Sequence, residues 1–282
     1  MKIAILSDIH GNVPALHAVM EHLTRWQPDQ VVVNGDTVNR GPASMAAWQF
    51  VQRQPGWHLL KGNHEDYLIE HQNKGTVAQN GRIFSINYMS YWTFLQHQRD
   101  VTALAKLADG LSLFAPDGTE LRLRHASMKH NRDGIWPNAE VAKVQGRLGT
   151  PPAVFATAHI HLPFVRQVRQ TLVVNSGSVG TPIGGDWRAS YAQITWQQRS
   201  WAANIVRLAY DRGQTRQQYA TSGFLAEAGP VGWLVFHEWE QATGVVYPWL
   251  AEYYEAVVAG EIELETAVTR YLTRQGLAVP WG

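Results

Sequence analysis

The stretch Gly62-Asn63-His64-Glu65-Asp66 sets an amide, an imidazole and two carboxylates directly behind the apolar pair Leu59-Leu60. Similar polar groups recur at Asp8 and His10, at Asp36, at His125, and at His159 and His161, each just past a run of apolar, β-prone residues. Two carboxylates, one amide and several imidazoles suffice to hold two divalent cations. Because two such cations a few ångströms apart repel, an anion must lie between them, so one carboxylate has to bridge. The chain has no cysteine, which leaves His, Asp, Glu and Asn as metal donors and suits a hard or borderline ion. In Asp8-x-His10 and His159-x-His161 the two residues share a face if a strand continues, and splay toward different ions if the chain turns into a loop; the spacing admits both. Taken singly, each motif is weak, and a lone histidine is more often a core or surface residue than a ligand. Five clusters in order, all at strand ends, favour a site.

The elements that must position these groups follow from the apolar periodicity. Residues 3–6, 31–33 and 57–60 read as strands, separated by helical faces at Leu16, Val19, Met20 and Leu23 and at Met45, Trp48, Phe50 and Val51. Asn12 fits an N-cap and Pro14 the first turn of the helix that follows. This βαβαβ rhythm predicts a largely parallel sheet, whose ligand sites lie at the carboxyl ends of its strands. Further on, the alternating residues around Pro116-Asp117-Gly118 predict a hairpin, and residues 153–161, 171–179, 190–196 and 203–210 continue a strand-rich series. From about Gly213 the pattern becomes helical and aromatic, with a stripe at Leu264, Ala267, Val268, Tyr271 and Leu272 that Gly276 stops. The expected organisation is a catalytic domain over 1–212 and a helical C-terminal extension over 213–282 packed on its core.

A formal net charge of +1 and the lack of a basic stripe argue against bulk nucleic-acid binding. No apolar run is long enough to span a bilayer, and the chain starts directly in a strand-like run, so a cytoplasmic enzyme without membrane attachment is the expectation.

The ordered set Asp8-x-His10, Gly35-Asp36, Gly62-Asn63-His64-Glu65, His125 and His159-x-His161 resembles that of the calcineurin-like metallophosphoesterases, over residues 1 to about 182. The resemblance implies an α/β fold, a four-layer α/β-β/α sandwich of two facing mixed sheets flanked by helices. It also implies a dinuclear metal centre of Mn, Fe, Zn, Co or Ni. Carried over by motif, Asp8, His10, Asp36 and His161 hold one ion and Asp36, Asn63, His125 and His159 the other, with Asp36 as the bridge. His64 is left free to contact the phosphate and protonate the leaving oxygen, and the nucleophile is a water or hydroxide bridging both ions. Glu65 either orients a ligand from behind or starts the next helix at its positive end, while Asp66 reads as structural.

The run from Gly35 to Pro42 resembles that of serine/threonine protein phosphatases and bacterial bis(nucleosyl)-tetraphosphatases, where Arg40 matches a phosphate-clamping arginine. Asn39, however, replaces the acidic residue usual in the protein phosphatases, and the stretch from Ala158 to Pro182 resembles the small bacterial phosphodiesterases instead. Ala126 and Ala158 stand where glycine is common. Candidate substrate contacts are Arg40, His64 and Asn12, and the expected substrate is a small phosphate mono- or diester, nucleotides and dinucleoside polyphosphates included. Two alternatives accompany this reading: a serine/threonine protein phosphatase, and a catalytically silent metal-binding scaffold. Arg132, His17 and His130 read as solvated or structural, the turn over 175–180 as structural or site-forming with equal weight, and the aromatic tail as core.

Overall fold

The computed structural model describes residues 1–73 and 78–278. Its β-branched runs form β1 (Lys2–Leu6), β2 (Gln30–Asn34) and β3 (His58–Leu60), joined by α1 (Val13–Trp26) and α2 (Ser44–Gln52). These three strands pair in parallel, as helical crossovers require. The chain then makes α3 (Asn63–Gln72), α4 (Gly81–Ile86), α5 (Tyr88–Gln96) and α6 (Thr102–Ala105) before the hairpin β4 (Gly110–Phe114) and β5 (Glu120–Arg124). Next come α7 (Val141–Leu148), β6 (Val154–Thr157), β7 (Phe164–Val168), β8 (Thr171–Asn175), β9 (Ala189–Gln197) and β10 (Ser200–Leu208). The chain closes with α8 (Arg212–Thr221), α9 (Phe224–Glu227), α10 (Pro230–Gln241), α11 (Val246–Ala259) and α12 (Leu264–Arg274).

Two mixed sheets result, ordered β10-β9-β1-β2-β3 and β4-β5-β6-β8-β7. Alternation decides their packing. Ile3, Ile5 and Val32 point inward against Leu121, Leu123, Val154 and Val174 of the second sheet, whereas Ala4, Leu6, Val31 and Val33 point outward onto Leu16, Val19 and Leu23 of α1 and Trp48 and Val51 of α2. On the far side, Val144 and Leu148 of α7 cover Phe155 and Val173. Strands buried on both faces read as continuous apolar runs, which is why the first three were plain in the sequence. Fully burying one such Leu, Ile or Val contributes about 1.5–3 kcal/mol. The four-layer sandwich is the expected architecture.

Differences lie at the periphery. The short edge strand β7 escapes the periodicity because Arg166 and Gln167 dilute its apolar signal. Helices α4 and α5, unanticipated between β3 and β4, bring Ile86, Met89 and Trp92 to a separate apolar cluster with Trp239, Trp249, Val268 and Leu272 of the C-terminal helices. The stripe on α12 is buried at Ala267, Val268, Tyr271 and Leu272, and the chain leaves the helix at Gly276 with φ +70°. Among the described residues no helix is long and apolar enough to cross a membrane. The last four residues of the expected extension, 279–282, lie outside the described residues.

Candidate metal centre

Beyond the ends of β1 and β2 the backbones stay in register without being strand. Asp8 N donates to Gly35 O, His10 N to Asp36 O and Gly11 N to Thr37 O, all at 3.1 Å. Within this ladder Asp8, His10 and Asp36 adopt φ of 50°, 46° and 54°, and His159 and His161 adopt 70° and 57°. Left-handed backbone costs a non-glycine residue on the order of 1 kcal/mol or more, so five such residues at one place mark a site whose geometry the rest of the fold must hold. Glycine is needed beside them: a Cβ on Gly62 would lie 2.2 Å from Asp36 Oδ1, and one on Gly35 would lie 2.7 Å from His125 Nδ1.

The left-handed turns settle the i, i+2 question. His159 and His161 splay apart. Asp8, His10 and His161 offer donor atoms within 4.8 Å of one another, and Asp36, His125 and His159 form a second such group. Asp36 Oδ2 lies between them, 3.8 Å from His10 Nε2 and 3.2 Å from His125 Nε2. Asn63 Oδ1 completes the second group at 3.1 Å from His125 Nε2 and 2.9 Å from His159 Nδ1. His64 also comes within reach of His10 and Asp36.

The hydrogen bonds around these groups show what they are built to hold. Nδ1 of His10 donates to Val38 O at 3.2 Å, that of His161 to Thr181 O at 2.6 Å and that of His125 to Asn34 O at 2.8 Å. Each neutral ring therefore turns an Nε2 lone pair into the site. Two such lone pairs, on His10 and His161, face each other at 3.2 Å, and the buried Asp8 Oδ1 has no hydrogen-bond partner although His161 Nε2 is 3.2 Å away. Acceptors so crowded repel unless a cation joins them, and N/O ligands about 2.0–2.2 Å from a borderline divalent ion come this close naturally. The donor set fits a divalent metal.

Electrostatics agree for His10 and His159. Burial depresses His10 to about 3 and His159 to about 4, keeping both neutral and able to ligate. Burial also works to lower His125, but the Asp36 carboxylate beside it outweighs this and lifts it to about 10, so without a cation this ring is protonated against Asp36, and a metal taking its Nε2 would displace that proton. Asp36 itself is buried, yet the neighbouring imidazoles hold it well below the usual carboxylate range.

Glu65 supports the site from behind. Its buried carboxylate accepts from Gly62 N and Asp36 N at 2.8 Å, Thr37 N at 2.7 Å and Val38 N at 3.4 Å, tying the β2 loop to the start of α3. Burial and the Asp36 charge raise it to about 7 against these donors. Asp66 bonds Lys61 and Asn131 and faces away. Asn39, at the position of the missing acidic residue, donates from Nδ2 to His64 Nδ1 at 2.9 Å. Its Oδ1 accepts from Arg40 N and Thr93 Oγ1, which fixes the amide's orientation.

The turn over 175–181 is a prop. Asn175 Nδ2 donates to Ala158 O, Ser178 Oγ to Asp8 O and Gly180 N to Asp8 O, while Thr181 O receives His161. Asn12 is not brought to the open site. It caps α1 through Ala15 N, donates to Gly180 O and Tyr210 OH and accepts from Thr215 Oγ1, so its amide is fully committed and the substrate contact expected of it is replaced by a structural one. His17 and His130 are exposed, as expected.

A cavity of about 370 Å³ opens over the centre, lined by His159, His161, Arg40, Arg132, Trp136 and Tyr247 among others. A second, of about 150 Å³, reaches His64, Asn63 and Tyr67, and Arg40 and Tyr247 line both. Arg132 is thus closer to the site than a merely solvated loop residue, stacking 4.5 Å from the Tyr67 ring centroid and pairing with Glu70. Sequence reasoning missed Tyr247 and Glu238, which the C-terminal helices bring to the cavity. The one available signal was a lone acidic residue inside the apolar run Val235-Phe236-His237-Glu238-Trp239.

Comparison with known proteins agrees with this geometry. The chain is 25% identical over 227 residues to protein MJ0912 of Methanocaldococcus jannaschii, covering 74% of this chain and 88% of that one. It is 25% identical over 194 residues to the phosphodiesterase YfcE of Escherichia coli, covering 69% and 87%. The fold matches that of a metallophosphoesterase from Sphaerobacter thermophilus with a TM-score of 0.67 at 23% identity, covering 86% of this chain and 99% of the other. Residues 1–178 match the family model described as calcineurin-like phosphoesterase, so the chain belongs to that family and is a metal-dependent phosphoric ester hydrolase.

Proposed function

We propose that the chain hydrolyses small phosphate mono- or diesters, dinucleoside polyphosphates among them, at a dinuclear centre. In this reading Asp8, His10, Asp36 and His161 hold one divalent ion, and Asp36, Asn63, His125 and His159 hold the other. The observation that carries it is the position of Asp36 Oδ2 between His10 and His125, beside lone pairs that no protein donor satisfies. The donor types suit Mn, Fe, Zn, Co or Ni. Residues 1–212 would form the catalytic domain and 213–282 an extension that walls the cavity.

Bound cations supply Lewis acidity toward phosphate oxygens and acidify a nearby water. The chain's own residues do the rest. Because Asn39 donates to His64 Nδ1, the neutral His64 ring carries its proton on Nε2, where it can hydrogen-bond the leaving oxygen; complete transfer of a proton to that oxygen draws on the imidazolium form, which leaves the neutral ring behind. Arg40, at the junction of the two cavities, offers N–H donors to non-bridging phosphate oxygens. Glu65 keeps Asp36 in place through the backbone amides of Asp36 and Thr37. Since the helices beside Arg40 line the cavity, we favour a small substrate over a phosphoprotein.

The deciding experiment combines metal analysis of the purified protein with hydrolysis of a diester, a monoester and a dinucleoside tetraphosphate, with and without Mn²⁺. Near two ions per chain and metal-dependent turnover are expected. Bound metal with no turnover of any substrate would favour the silent scaffold.

A further inference from the structure

The arginine expected to meet phosphate is already paired. Arg40 and Glu238 are 7% and 3% exposed, and Arg40 Nη2 donates to Glu238 Oε1 across the wall of the larger cavity. Glu238 is itself fixed: its Oε2 accepts from Val245 N at 2.8 Å and Val246 N at 3.1 Å, where α11 begins. Arg40 is fixed too, since Tyr219 OH donates to its carbonyl at 3.2 Å. Among the guanidinium donors only Nη2 is engaged by Glu238, and the buried Nε has no partner. The C-terminal helices therefore place a carboxylate directly beside the cation that lines both cavities.

We infer that Glu238 is a specificity-determining residue that biases the cavity toward singly charged phosphodiesters over doubly charged phosphomonoesters. The inference rests on the reading that Arg40 contacts the phosphate. A carboxylate facing Arg40 offsets most of its charge within a wall largely shielded from water, where charge interactions are screened little. A diester carries one negative charge at any pH above the acid range. A monoester carries nearly two once pH exceeds its second pKa of about 6. The extra charge of the monoester meets the Glu238 carboxylate at a wall whose nearest cation, Arg40, is already paired, and like charges so placed are disfavoured. The hydrogen-bonding power of Arg40 survives, because a guanidinium has five N–H donors and the carboxylate takes few of them.

The test uses the metal-loaded full chain at pH 8 with two esters sharing one leaving group, p-nitrophenyl phosphate and methyl p-nitrophenyl phosphate. The readout is the ratio of kcat/KM for the diester over the monoester. Glu238→Gln removes the charge and should lower that ratio about tenfold, while Glu238→Asp keeps the charge and should hold it within about twofold even if both rates fall. A Glu238→Gln ratio equal to that of the wild type would reduce Glu238 to a structural clasp and overturn the inference. If Glu238→Gln does not fold, the wild-type chain answers: faster kcat/KM on the monoester than on the diester overturns it as well. Absence of metal-dependent turnover of both esters would overturn the phosphoesterase reading and the inference with it, an outcome distinct from an unchanged ratio.

Discussion

Asn39 donates its side-chain amide to His64 Nδ1 at 2.9 Å. A donor there, in place of an acidic residue, dictates the neutral tautomer with its proton on Nε2, and burial depresses the His64 pKa so that this form prevails at neutral pH. Asn39→Leu keeps the side-chain bulk but removes the donor. It should lower kcat about tenfold, roughly 1.4 kcal/mol of barrier, with metal content unchanged. Asn39→Asp should do something different: the carboxylate stabilises the imidazolium, so the acid form of His64 persists to higher pH. Profiles of kcat against pH check both, and identical profiles for all three proteins would remove Asn39 from the mechanism.

Asp36 Oδ2 stands 3.2 Å from His125 Nε2 and 3.8 Å from His10 Nε2. Asp36→Asn is close to isosteric but neutral, so two cations would lose the anion between them. Activity should fall by at least about a thousandfold, some 4 kcal/mol, together with a loss of bound metal. Metal analysis beside turnover checks this; a variant that keeps both refutes the bridging role. His64→Ala is the complementary probe, expected to retain the metals and lose rate chiefly on esters with poor leaving groups. Loss of metal in that variant would make His64 a ligand instead, as its reach to His10 and Asp36 permits.

Both the sandwich and the gathering of Asp8, His10, Asp36, His125, His159 and His161 at one place were legible because these groups follow closely on runs of apolar residues. In Ile5-Leu6-Ser7-Asp8 or Val33-Asn34-Gly35-Asp36 the strand and the group it delivers are neighbours in the chain. Which donors share an ion was not legible from spacing, since left-handed backbone at His159 and His161 separates residues that a strand would keep together. Nor was the wall of the cavity. Glu238 reaches Arg40 across 198 residues of sequence, and its helix packs against α5, Tyr210 and Tyr219, whose sequences carry no marker of that partner.

Glu65 was open to two readings, and the structure combines them: it sits in the first turn of α3 and also gathers four backbone amides around Asp36. Glu65→Gln would set an N–H group against some of those amides, breaking charge-assisted bonds in a buried place. Stability should drop by about 3 kcal/mol, lowering Tm by roughly 6 °C or more. Metal affinity should fall in parallel, because Asp36 loses its anchor. Calorimetry of the metal-free protein isolates the first effect, and a Tm shift of under about 2 °C would contradict it.

His97 gives the fold an acid-sensitive joint outside the metal centre. Ser44 Oγ accepts from Asn39 N at 3.1 Å and shares a hydrogen bond with His97 Nε2 at 3.0 Å. Burial depresses its pKa from 6.5 to about 4. A folded pKa below the unfolded one means the contribution is complete above pH 6.5 and is lost as pH falls toward 4, because the unfolded chain takes up the proton first. The size of that contribution is up to about 3 kcal/mol. His97→Gln keeps a hydrogen-bond partner for Ser44 but cannot titrate, so it should lose less stability than the wild type between pH 7.5 and 4.5, by about 2 kcal/mol. Urea unfolding of both proteins in EDTA at the two pH values measures the difference without metal release intruding. Curves that fall in parallel would show that His97 is not the group that titrates.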